Sequence, residues 1–113
     1  MFKPLDPLLH SELRLAIMSL LIALEEADFT YLKEKTGATA GNLSVQLQKL
    51  SEAGYIKVKK SYRDNYPHTS CKITSKGIKA FEKYAESLQD YFKAYRKNGQ
   101  KKPAIASSLK SFI

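Results

Sequence analysis

Tryptophan is absent and cysteine occurs once, at Cys71. One cysteine excludes an internal disulfide and any zinc site built from several thiolates. Inside the alternating segment that holds it, Cys71 reads as a small buried apolar side chain. Five glycines and four prolines in 113 residues exclude a collagen-like or low-complexity chain. The most apolar run, "LAIMSLLIAL", is ten residues long, about half of what a bilayer-spanning helix needs. "MFKPLDPLLHSELR" carries prolines and acids where a signal peptide has its apolar stretch, so a cytoplasmic location is expected. No Gly-rich phosphate loop, HExxH, GxSxG or CxxC is present. The two histidines, His10 and His68, form no catalytic or ligand pattern. Neither an enzyme nor a metal or other cofactor is expected.

Acidic side chains are also scarce, 11 against 19 Lys and Arg, a net charge of +8. That balance favours a polyanionic partner. The excess is local. Residues 1–54 hold five basic and seven acidic side chains, Tyr55–Lys79 seven and one, Ala80–Phe92 one and three, and Lys93–Ile113 six and none. What the chain does have is apolar residues, 43% of the total and spread throughout, enough for one domain with one core.

The spacing predicts a helix over Leu8–Leu24, apolar around so much of its surface that it belongs at the centre of the core. "EEAD" reads as a polar break. Asp28 or Thr30 can cap a short second helix, "FTYLKEKT", with core residues Phe29 and Leu32, and Gly37 ends it. Thr39 caps a third helix over Thr39–Ala53, in which Leu43, Leu47 and Leu50 form one buried stripe and Gly54 follows as the stop. The period then changes to two: "YIKVKK" and "SCKITS" read as strands, with the polar "SYRDNYPH" as the hairpin tip. A long last helix starts near Ser75 and stops at Asn98 and Gly99. Its stripe of Ile78, Phe81, Ala85, Leu88, Phe92 and Tyr95 has a/d spacing. Pro103 opens a short amphipathic piece with Ile105, Leu109 and Phe112 on one face. The domain is expected over residues 1–98, with a basic tail over 99–113.

The second and third helices match a helix-turn-helix. With the leucines inward, Gly41, Val45 and Gln48 point outward, flanked by Asn42, Lys49 and Ser44. Amide and hydroxyl side chains read base edges, a valine methyl meets the thymine methyl, and Gly41 allows close approach of the helix N-terminus to a phosphate. A merely solvated helix face would be rich in Lys and Glu, and this one has neither before Lys49. Phosphate affinity would then come from Lys59, Lys60, Arg63 and Lys72 around the hairpin tip, with His68 as a surface residue or phosphate contact.

Taken together, "TGATAGNLSVQLQKLSEAGYIKVKK" and "CKITSKGIKAFEKY" resemble the small winged-helix transcriptional regulators of the MarR and ArsR type, over about Leu8–Leu88. The resemblance implies a mainly α chain with a small β-hairpin (α+β), a winged helix-turn-helix with a long C-terminal dimerisation helix. It implies that Thr39–Ala53 enters the major groove of double-stranded DNA, that Ser61–His68 is the wing, and that the helix from Ser75 builds a homodimer. The paired Cys or His ligands of the metal sensors are not matched, and the helices that build effector pockets in larger relatives are reduced. A projecting apolar helix also predicts dimerisation on physical grounds, through Phe81, Ala85, Leu88, Phe92 and Tyr95, and hence an inverted-repeat operator. Two alternatives compete: a winged helix that binds RNA or a protein, and a membrane-surface role for Lys93–Ile113. The near-absence of apolar residues on the outer face of the third helix argues against a protein partner there. An apolar stripe on the tail that packs against the dimer argues against the membrane.

Overall fold

The structure, a computed structural model, describes residues 2–100. Its elements run α1 (Glu12–Leu24), β1 (Glu26–Asp28), α2 (Phe29–Thr36), α3 (Ala40–Glu52), β2 (Ile56–Arg63), β3 (Tyr66–Ile73) and α4 (Ser75–Gln100). It is an α+β fold of helices around an antiparallel sheet of order β1-β3-β2, with a long last helix. The tail from residue 101, including the amphipathic piece expected after Pro103, lies outside the described residues.

Local chemistry sets most boundaries. Ser11 caps α1 by accepting from the Arg14 amide, so the helix begins at Glu12 and not at Leu8. The residues before it are turned, with the Leu8 amide donating to Asp6 at 2.9 Å. Asp28 caps α2 through the Tyr31 amide at 2.8 Å, and Gly37, at φ 72°, closes it in the left-handed region that glycine adopts without penalty. Thr39 caps α3 through the Asn42 amide at 3.2 Å. The final helix passes through Asn98 and Gly99 to Gln100, because one glycine lowers helix stability by only about 1 kcal/mol.

The sheet differs from expectation in two places. The stretch read as a polar break is β1, which pairs Ala27 with Cys71 and lays a third strand on the far edge of β3. The hairpin tip is also far shorter than Ser61–His68. Its strands run to Arg63 and Tyr66, and only Asp64 and Asn65 turn, both at positive φ (52° and 67°), as a type I′ hairpin requires. Pro67 is tolerated within β3 opposite Tyr62. In an antiparallel ladder the pair next to a two-residue turn exchanges both hydrogen bonds and the following pair exchanges none, so no donor is missed there.

The core joins Ile17, Met18 and Leu21 of α1 to Leu32, to the α3 leucines, to Ile56, Cys71 and Ile73 of the sheet, and to Tyr84 of α4. Each fully buried aliphatic side chain contributes about 1.5–3 kcal/mol. Burial, with the Asp28 carboxylate nearby, pushes the Cys71 thiol up to about 11. The N-terminal lead-in buries Leu9 and lies along α4: the rings of Phe2 and Tyr91 are 4.8 Å apart, and the Lys3 amide donates to Asp90 at 3.3 Å. His10 Nδ1 and the Tyr84 hydroxyl share a 2.9 Å hydrogen bond.

Candidate nucleic-acid interface

The three-residue connection Gly37–Thr39 sets α3 down with one face buried and one bare. Leu43, Leu47 and Leu50 are buried, whereas Thr39, Gly41, Asn42, Ser44, Val45, Gln48 and Lys49 are exposed, Val45 to 49%. A Cβ at Gly41 would meet nothing within 4 Å, so no packing demand explains that glycine and the space above it is open. The Thr39 side chain satisfies the Asn42 amide, and the amides before it have no intrahelical acceptor. The face therefore offers two carboxamides, a hydroxyl, a methyl pair and free backbone donors, with Lys49 at its edge. Positions that read base edges use these groups.

The hairpin stands beside this face. Alternation places Ile56, Val58, Lys60 and Tyr62 on the side of β2 that looks toward the helices, paired across with Ile73, Cys71, Thr69 and Pro67. Lys60, Thr69 and Val58 accordingly line one cleft of about 470 Å³ with Ser44, Leu47, Gln48, Ser51, Glu52 and Phe29. Lys60 is thus brought to the helix face. Lys59, Arg63 and Lys72 are exposed on the opposite side of the sheet, in register with Ser70, Tyr66 and Lys57. His68 is half-buried on that same side, opposite Ser61. The basic residues named from the sequence therefore do not form one clamp. Arg63, next to the turn, is the one of that group that stands at the tip.

Several residues of this surface escaped the sequence reading. Tyr62 and Tyr66 flank the turn at 78% and 74% exposure, Tyr62 on the Lys60 side. Asp-Asn is a pair that tolerates positive φ at both turn positions, and reading it as a two-residue turn would have placed Tyr62 beside Lys60 by alternation alone. Gln46 is the other omission. It lies half-buried between the leucine stripe and the bare face and accepts from Arg14 of α1.

The stripe on α4 is divided. Phe81 and Leu88 are half-buried against the core, while Ile78, Ala85, Phe92 and Tyr95 are exposed, the last two to 51% and 74%. The face that α4 turns to its own chain is carried by Gly77, Tyr84 and Ser87, all buried. At 100° per residue the centre of that face sits roughly 80° around the helix from the centre of the stripe. No helix among the described residues is long and apolar enough to cross a membrane.

Residues 13–92 match a family model described as a winged helix DNA-binding domain. An uncharacterized protein of Methanocaldococcus jannaschii is 45% identical over 75 residues, which are 66% of this chain and 82% of that one. A transcriptional regulator homologue from Pyrococcus horikoshii OT3 superposes with a TM-score of 0.73 at 27% identity, covering 78% of this chain and 87% of its own. The PcaV transcriptional regulator from Streptomyces coelicolor, solved with its natural ligand, shares the fold at a TM-score of 0.62. Its identity is 11%, over 88% of this chain and 71% of that one. The MarR-like resemblance read from the sequence agrees with these folds.

Proposed function

The chain belongs to the winged helix DNA-binding domain family, and from that premise we propose that it is a cytoplasmic, sequence-specific regulator of transcription that binds double-stranded DNA as a homodimer. The observation that carries this reading is the cleft shared by Gln48 and Ser44 of α3 with Lys60 of the hairpin. An uncharged face that can discriminate bases stands next to a cation that can hold the flanking phosphate. In this reading α3 lies in the major groove, with Asn42, Ser44, Val45 and Gln48 toward the bases. The start of the helix at Thr39 and Gly41, together with Lys49, meets the backbone. The hairpin is the wing: Lys60, Tyr62 and Arg63 follow the adjacent backbone. Lys59, His68 and Lys72 on the other side of the sheet add long-range attraction more than contact.

The homodimer rests on α4. A helix of 26 residues is about 39 Å long, and the described residues extend 63 Å in their longest direction against 30 and 20 Å in the others. The far end of α4 therefore stands clear of the body with Phe92 and Tyr95 exposed. A second copy would bury them, and twofold symmetry would set two copies of α3 in successive major grooves at an inverted repeat, half-sites about 10 bp or a multiple apart.

Footprinting on the DNA upstream of its own gene, with random duplex and RNA as competitors, tests the reading. A protected inverted repeat that resists both competitors is expected. Binding that RNA abolishes more efficiently than random duplex would overturn it in favour of an RNA-binding module. Within that assay, Gln48→Ala should cost about 1–3 kcal/mol on the repeat and little on random DNA.

A further inference from the structure

Arg14, in the first turn of α1, reaches out of the core toward α3. Its Nε donates to the Leu8 carbonyl and its Nη1 to Gln46 Oε1. Gln46 Nε2 in turn donates to Asn42 Oδ1 at 3.0 Å. The three side chains make a relay from a half-buried cation to an exposed carboxamide on the face of α3. A guanidinium has five donors and no acceptor. Gln46 must therefore turn its oxygen to Arg14, which leaves its amino group for Asn42, and Asn42 must turn its oxygen inward to receive it. Reversing either carboxamide would set donor against donor. The orientation of an exposed amide, ordinarily free to flip, is thus dictated by a charge on another helix.

We propose that Arg14 is a positioning residue for base selection: acting through Gln46, it locks Asn42 so that its Nδ2 amino group leads into the groove and selects a keto group, guanine O6 or thymine O4, at one position of the site. This rests on the reading that α3 lies in the major groove. Amino groups of adenine and cytosine face the same groove as donors and are rejected by a leading Nδ2, so adenine can be met only at N7, which guanine offers in addition to O6. Asn42 alone, without the relay, could present either end and would tell keto from amino poorly.

The test uses Gln46→Glu, which the relay singles out. A carboxylate still accepts from Arg14, so the tie between α1 and α3 persists, but it has no proton to give Asn42. Asn42 then turns its amino group inward and its oxygen outward, and the preferred base changes from keto to amino. Binding sites are enriched from a random duplex library with the wild type, Gln46→Glu and Arg14→Met, and the side-chain amide resonances of Asn42 and Gln46 are recorded in the free proteins. Expected are a roughly tenfold keto preference at one position in the wild type, its inversion in Gln46→Glu, and its loss in Arg14→Met. The other positions of the motif should be retained, because a general loosening of the fold would blur all of them. Thermal melts confirm that the variants are folded. In the free wild type, the Gln46 amino resonance should be shifted from its solvent position and return there in Arg14→Met. A wild type that selects a motif which both variants share unchanged would overturn the proposal while leaving groove binding by α3 intact. A wild type with the expected amide resonances that selects no motif would instead overturn the groove reading and the proposal with it.

Discussion

The first half of α4 and its second half follow one another in a single unbroken helix, yet they meet opposite surroundings. Near its start the helix is pressed so closely against the strand entry that a Cβ on Gly77 would lie 2.1 Å from the Tyr55 carbonyl oxygen. Tyr84 and Ser87 are buried there, and His10 of the lead-in ties down the flank through the Tyr84 hydroxyl. Beyond Leu88 the first residues of the lead-in still touch one side of the helix, Phe2 at Tyr91 and Lys3 at Asp90, but Phe92 and Tyr95 face outward. The difference separates two causes for one apolar pattern: the first half is spent on the fold of the chain itself, and the exposed residues of the second are where we propose that a second copy packs.

The sharpest way to test that division is to damage each half in turn. Gly77→Ala forces the strand entry or the helix to move, since the nearest obstacle is backbone rather than a flexible side chain. Overpacking of this kind costs about 3 kcal/mol or more, and thermal denaturation followed by circular dichroism should show a melting temperature lower by at least about 10 °C. An unchanged melting temperature would mean that the two halves are not so unlike. Phe92→Glu with Tyr95→Glu should do the reverse. Stability of the domain should change by no more than about 0.5 kcal/mol, as for exposed sites, while sedimentation equilibrium should show a monomer. Affinity for the full operator should fall about 100-fold, near 2.7 kcal/mol. A wild type that is already monomeric at micromolar concentration would remove the partner assigned to the second half.

How much of this was legible beforehand depends on whether the signal was local. Asp28, Gly37 and Thr39 announce the ends of α2 and α3 because capping is decided within four residues, and Leu43, Leu47 and Leu50 define a buried face by spacing alone. The bare side of α3 followed from the same wheel. β1 was missed because Glu26–Asp28 is too short to alternate and owes its extended form to its neighbour β3. The hairpin tip is shorter than the sequence suggests because "SYRDNYPH" is polar throughout and shows no alternation, yet most of it pairs, Pro67 included, since the ladder has no use for its amide at that position. Period two separates Lys60 from Lys59, Arg63 and Lys72, a distinction that the density of charge along the chain does not carry. On α4 the apolar residues mark one stripe, while the most buried positions are a glycine and a serine, small enough for close approach, and a tyrosine that bonds His10. Arg14 and Gln46 are 32 residues apart, and nothing in either neighbourhood hints that they meet.

Within the first half of α4, the polar ties to the lead-in can be weighed one at a time. Tyr84→Phe keeps the buried ring and removes the hydroxyl that His10 shares at 2.9 Å. One hydrogen bond contributes about 1 kcal/mol, so urea denaturation at unchanged slope should give a midpoint lower by about 0.3–1 M. A neutral result would leave the His10 hydrogen bond no part in holding the near half, and assign the lead-in's hold to its packing and to Asp6.

The mildest effect concerns Tyr55, whose carbonyl crowds Gly77 and whose hydroxyl donates to the Asp6 carboxylate in the lead-in. That hydrogen bond, with burial and the negative charge of Asp6 adding to it, raises the phenol from 10.0 to about 12. The sign follows from proton binding. Between those two values the folded chain keeps a proton that the unfolded chain has released, so stability falls as pH rises through that interval and the contribution is complete below pH 10. Lysines and other tyrosines titrate in the same range, which makes the wild-type curve alone uninformative. The difference between wild type and Tyr55→Phe isolates the group, because the variant lacks the proton and shares everything else. Stability measured by urea denaturation at intervals from pH 8 to pH 12 should show the two proteins converging as pH rises, with the wild type ahead at the lower end. The gap should be modest, since Tyr55 is only half-buried and water screens its interaction with Asp6. Parallel curves would mean that the hydroxyl and Asp6 do not meet in solution, and that the lead-in is held to α4 by its apolar contacts and by the ties of His10 to Tyr84 and of Lys3 to Asp90.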